Sequence, residues 1–114
     1  MIETKILDYL QRTLNTTYVY LETPKTSHAS YVVFQIVDRT RTNLIDAVTV
    51  RLWSYGKTKE EAATLDSLVR NAMYDFADVN NISSSTLGGG ADDYDTDLNR
   101  YRYSSYFNIT YMEE

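Results

Sequence analysis

Residues 2–14 place Ile2, Ile6, Leu10 and Leu14 four apart, with Leu7 and Tyr9 on the flanks and Lys5, Asp8 and Arg12 opposite. Apolar positions at helical spacing with charge behind them predict an amphipathic helix with one buried stripe, ending before Thr16-Thr17. Tyr18-Val19-Tyr20-Leu21 reads as a short strand, stopped by the only proline, Pro24, and followed by a polar loop through Ser30. In Tyr31–Val37 both parities are apolar at first, which predicts a strand covered on both faces or lying at an interface. Asp38–Asn43 reads as a polar turn. From Ala47 to Tyr55 the pattern alternates, with Val48, Val50 and Leu52 on one face and Thr49, Arg51 and Trp53 on the other. The two runs predict an antiparallel hairpin.

Thr58 followed by Glu61 has the spacing of a capping box, so a helix is expected over about 59–77. Its buried stripe comprises Ala62, Leu65, Leu68, Val69, Ala72, Met73 and Phe76, with Ser67, Arg70, Asn71 and Tyr74 behind. Ser83–Leu87 reads as a weak strand leading into Gly88-Gly89-Gly90, the mark of a bulge, a bend or a flexible tip. An acidic stretch, Asp92 to Asp97, comes next. Over Arg100–Met112, Tyr101, Tyr103, Ser105, Phe107, Ile109 and Tyr111 share one face, and Arg102, Ser104, Tyr106, Asn108 and Thr110 the other. The expected fold is a single α+β domain over 1–114, an antiparallel or mixed sheet of four to five strands with two helices on one face. Two helices cover one sheet face, so the other must be solvated or bound to a partner.

Composition narrows the chemistry. The chain has 114 residues, 43% apolar and 24% charged, and no apolar run approaches the roughly 18 residues of a membrane helix. Met1–Lys5 carries an acid early and leads into a helical pattern, so no secretory signal is expected. With no cysteine, and His28 as the one histidine, disulfides, thiolate sites and an imidazole cluster within one subunit are excluded. Sequons at Asn15, Asn81 and Asn108 read as chance tripeptides. A net charge of −5 argues against general affinity for nucleic acid, which needs clustered Lys and Arg. Eleven tyrosines suit half-buried strands and protein interfaces alike.

No catalytic constellation emerges. Gly56-Lys57-Thr58 falls where a phosphate loop would end, but Arg51 stands where its first glycine is required, which leaves a turn glycine and a helix cap. Asp93, Asp95 and Asp97 alternate as in the opening of a calcium loop, yet Leu98 and Ser104 occupy the positions of its glycine and its bidentate glutamate. Such a charge run is more often a solvated hairpin tip. The pairs Glu60/Glu61 and Asp92/Asp93 lack the apolar setting that splits two carboxylate pKa values. His28 sits in a polar loop with no G-x-S-x-G elbow in the chain, and reads as an exposed loop histidine. Neither a catalytic residue, a metal site nor a cofactor site is expected.

The short N-terminal helix, the strand YVVFQIV, the strand–turn–helix DAVTVRLWSYGKTKEEAATLDSLVRNAM and the closing strand RYRYSSYFNITYM together resemble the tail terminator, or tail-completion, proteins of long-tailed bacteriophages. The resemblance spans nearly the whole chain and is strongest over Asp46–Met73. It implies a structural subunit of a hexameric ring, without a cofactor, that caps the tail tube and joins it to the head connector. The implied location is the virion tail at the head–tail interface, with assembly in the bacterial cytoplasm. The implied partners are other copies of the chain, the tail-tube protein and the head-connector protein, with DNA passing through without specific binding. Tyr101, Tyr103, Tyr106, Tyr111 and Trp53 are candidates for the subunit interface. Asp92, Asp93, Asp95 and Asp97 are candidates for a lumen-facing or docking loop, although the same residues equally suit a solvent-exposed tip. A head-closure or adaptor subunit, a tail-tube subunit, and a small divalent-cation-binding module or hydrolase are the competing readings.

Overall fold

The structure, a computed structural model, describes residues 2–16, 18–22, 30–95 and 100–112. The chain runs α1 (Ile2–Thr13), β1 (Val19–Tyr20), β2 (Tyr31–Thr42), β3 (Ile45–Gly56), α2 (Lys59–Asp75), a 3-10 turn (Phe76–Asp78), β4 (Ile82–Asp95) and β5 (Arg100–Tyr111). The five strands form one sheet in the order β1-β2-β3-β5-β4, antiparallel except for the parallel pair β1–β2. This is the expected α+β class.

Each helix is bounded by local chemistry. After α1, Asn15 adopts a left-handed conformation with φ 53°, while the Thr16 amide donates to the Gln11 carbonyl and the Asn15 amide to that of Arg12. That double closure satisfies the last carbonyls and stops the helix, and Asn tolerates it better than most residues with a Cβ. At the start of α2 the Thr58 hydroxyl accepts from the Glu61 amide at 3.1 Å, and the Glu61 carboxylate accepts from the Lys57 amide at 3.1 Å. Two amides without helical partners are thereby satisfied.

Register decides which face is buried. Phe34 lies opposite Leu52, Val50 opposite Phe107, and Val48 opposite Ile109, so one face of the sheet is a continuous apolar surface. Ile2, Ile6 and Leu10 of α1 and Val69, Ala72 and Met73 of α2 close over that face, with Phe34, Phe76 and Phe107 wholly buried. Burial of this kind contributes about 25 cal/mol per Å² of apolar surface removed from water. Tyr9 fastens the two helices together: its hydroxyl donates to the Ala72 carbonyl at 2.6 Å and its ring meets Phe76 at 4.9 Å.

Four expectations are corrected. Asp38–Thr42 is strand, and the turn shrinks to Asn43-Leu44, both at positive φ (52° and 68°), between the paired residues Thr42 and Ile45. Two successive left-handed residues are the signature of a two-residue turn whose twist matches its strands. A bulge at Val37 lies where the apolar face of β2 ends, and beyond it the hairpin continues as an exposed arm, contributing to extents of 44 × 24 × 24 Å. Second, the strand read over Ser83–Leu87 runs on to Asp95: of the three readings of the glycines the bulge is the one found, between Leu87 and Gly89, and β4 stays paired with β5 beyond it. Third, Leu68 is exposed because it sits at the margin of the stripe. Fourth, the α-helix ends at Asp75, and Phe76 enters the core from the 3-10 turn that follows. Pro24 and His28 lie outside the described residues.

Candidate assembly surface

The sheet face turned away from the helices carries an aromatic and cationic band. Strand parity puts Tyr31 and Val33 of β2, Arg51, Trp53 and Tyr55 of β3, and Arg102, Ser104 and Tyr106 of β5 on this face. The Arg51 guanidinium lies 4.6 Å from the Trp53 ring and 5.1 Å from the Tyr106 ring. A cation over an aromatic face is attracted by the ring quadrupole, most strongly for Trp, and the planar guanidinium can stack on two rings. Trp53 and Tyr106 are half-buried in the isolated chain, so each still presents ring surface.

Beside this stack lies a second aromatic group. Tyr31 and Tyr55 are a cross-strand pair stacked at 4.6 Å and 11°, and Tyr20 meets Tyr31 edge-on at 6.4 Å. Arg102 donates to the Tyr55 hydroxyl at 3.3 Å, and Arg100 lies 5.6 Å from the Tyr31 ring. Tyr31, Val33 and Tyr55 are buried and form a small second cluster with Tyr20 and Trp53. Toward the other end of the face the surface turns polar: Gln35 and Asn108 are exposed, and the Thr49 hydroxyl donates to the Asn108 side-chain oxygen at 2.9 Å.

The candidate interface residues therefore fall into three settings. Trp53 and Tyr106 share the open face. Tyr101 and Tyr103 point to the helix side, beyond the start of α2, where they line a cavity of about 230 Å³ with Lys59, Asp92 and Tyr94. Lys59 pairs with Asp92 at 3.3 Å, which raises the lysine pKa through the hydrogen bond and the carboxylate charge. Tyr94 meets Tyr101 edge-on at 4.9 Å. Tyr111 is the exception, for it is 6% exposed and belongs to the main core. It continues the buried parity of Phe107 and Ile109, and that alternation was visible in the sequence.

The acidic residues also take a different setting from a loop. Asp92, Asp93 and Asp95 belong to β4, where backbone register sets Asp93 opposite Arg102 and Asp95 opposite Arg100. Asp97 lies outside the described residues. Among the described residues no group of three or more His, Cys, Asp or Glu is placed to hold a metal ion.

Sequence reasoning missed one polar pair. Asp66 is buried on α2 and pairs with Arg70 at 2.8 Å, and Arg70 reaches the Ser104 carbonyl at 3.5 Å. Burial pushes the Asp66 pKa above its ordinary value, and the Arg70 charge offsets only part of that effect. Gly90 leaves room for the arginine, since a Cβ there would stand 2.4 Å from its guanidinium. The spacing of four from Asp66 to Arg70 was the available signal.

Comparison with known proteins adds a likeness of fold. No protein-family model and no curated protein sequence matches the chain. Among solved structures, a chain from the "Virion of native gene transfer agent (GTA) particle" is similar at a TM-score of 0.71 and 13% identity, over 95% of this chain and 92% of that one. At so low an identity the two chains share a fold, over nearly the full length of each.

Proposed function

We propose that this chain is a structural subunit of a phage-like virion, acting as a tail terminator that closes into a hexameric ring on the tail tube and joins it to the head connector. The observation that carries the reading is the sheet face left uncovered by both helices, with Trp53, Arg51 and Tyr106 stacked across it. Aromatic residues and arginine dominate the energetic centres of protein interfaces, and the half-buried Arg51, Trp53 and Tyr106 still present surface that another subunit can cover. The full-length likeness to a chain of a gene transfer agent virion supports a place in such a particle.

Charge fits the same reading. A net charge of −5 repels the DNA backbone, so a ring of such subunits would let the genome pass without holding it. In this role the protein works through binding, by presenting one surface to the tube and another to the connector.

The test is to add the purified protein to tail-tube subunits polymerising in vitro and to image the products. A terminator gives tubes that stop growing and carry one extra ring at one end. Incorporation along the tube would identify a tube subunit instead, and binding to the connector alone would identify an adaptor.

A further inference from the structure

The tip of the β2–β3 arm joins two features that are each unfavourable in an isolated chain. Leu44 occupies the second position of the turn at φ 68°, where glycine is favoured and a γ-branched side chain is strained. It is also 70% exposed, beside Ile45 at 41%. A strained backbone carrying an exposed leucine points to a contact that the single chain does not contain.

A matching recess exists at the other end of the molecule. Leu14, Tyr18, Val32, Leu65 and Leu68 line an open apolar groove of about 380 Å³ between the end of α1, the start of β2 and the exposed side of α2. Leu68 is 52% exposed and Tyr18 42%. A second recess shares Leu65 and Leu68 and brings Glu60 and Glu61 to the rim. Arg41, close to the arm tip, is more than half exposed and is held only loosely, 3.8 Å from Asp46. Tip and groove are therefore complementary twice over, apolar to apolar and basic to acidic.

They cannot meet within one chain. Val32 at the groove and Thr42 at the turn are separated by ten residues of strand, roughly 33 Å at the usual rise. The geometry points to a head-to-tail contact in which the Leu44–Ile45 tip of one copy seats in the Leu65/Leu68 groove of the next, with Arg41 toward Glu60 and Glu61. Such a contact uses two different patches, so repetition closes a ring or continues as a filament, depending on the rotation between neighbours. It rests on the ring reading above only in supposing that the partner is a second copy.

Two exposed-site variants test it, Leu44→Asp at the tip and Leu68→Arg in the groove, each checked for an unchanged circular dichroism spectrum and analysed by sedimentation velocity. Each variant alone is expected to remain monomeric at concentrations where the unmodified chain assembles. An equimolar mixture is expected to give dimers and nothing larger, because one intact tip and one intact groove remain per pair. Since the chain has no cysteine, a Leu44→Cys/Leu68→Cys variant should oxidise to a ladder of cross-linked copies. Each single-cysteine variant carries one thiol facing a leucine, so it should stay largely uncross-linked and can go no further than a dimer. Assembly of both Asp and Arg variants like the unmodified chain would overturn the contact and leave the ring reading standing. Loss of tube binding in Leu44→Asp with ring formation intact would assign the tip to a different protein and overturn it as well. An unmodified chain that forms open tubes, with both variants monomeric, would support the contact and remove the terminator role. A chain that neither assembles nor cross-links at any concentration would overturn both.

Discussion

Arg51 and Tyr106 face one another directly across the β3–β5 ladder, with the guanidinium carbon 5.1 Å from the ring centre. The ring of Trp53, two residues along β3, lies 4.6 Å from the same guanidinium carbon. Partly exposed contacts of this kind contribute about 0.5–1 kcal/mol each. Arg51→Ala is therefore expected to lower unfolding stability by about 1–2 kcal/mol, measured from the shift in denaturant midpoint.

Asp66 gives a pH signature. Its folded pKa is raised, chiefly by burial, so between the unfolded and folded values the native state binds the extra proton. Stability linked to this group is present below the unfolded pKa and declines as pH rises through the folded value. Asp66→Asn removes the titration, so the advantage of the native residue over asparagine should shrink with rising pH across that interval. Urea unfolding of both proteins at a series of pH values reads this directly; a constant difference would contradict it.

The cap of α2 predicts a local effect. Thr58→Ala removes the acceptor for the Glu61 amide and should cost about 1 kcal/mol. Thr58→Ser keeps the hydroxyl and should restore most of the loss. Thermal unfolding of the three proteins provides the comparison.

Gly56 marks where β3 hands over to α2 at close quarters. A Cβ there would lie 2.6 Å from the Ala62 amide nitrogen, a backbone atom that cannot move alone. Gly56→Ala should destabilise by about 1–3 kcal/mol through the forced shift of α2, again measured by denaturant unfolding. The glycine that a phosphate loop would have used serves here to bring helix and strand together.

How far the sequence carried depended on whether a residue's environment is written in its periodicity. The stripe Val69–Ala72–Met73–Phe76, the box Thr58–Glu61 and the alternation of β3 and β5 all appear in the fold, because burial imposes a fixed spacing. The arm reads as a turn in sequence because Asp38–Thr42 faces no core, and its polar residues give no apolar alternation to follow. Its two-residue turn contains leucine where the usual signal is glycine. The glycines of β4 allow a bulge, a bend or a flexible tip on sequence alone; the fold takes the bulge, and the strand continues past it because β5 keeps pairing there. The candidate interface residues share aromatic character, and that property alone does not distinguish Trp53 and Tyr106 on the open face from Tyr111 in the core. The Asp66–Arg70 pair and the groove beside Leu68 depend on which elements meet in space, which spacing along the chain does not record.

A closed ring of copies is the assembly proposed for this chain. Native mass spectrometry over a concentration series, with negative-stain images of the same samples, tests it most directly. A single closed species, hexameric by the family resemblance, is expected, and it should gain no further rings as concentration rises. Stacks that lengthen with concentration, or a strict monomer throughout, would contradict it.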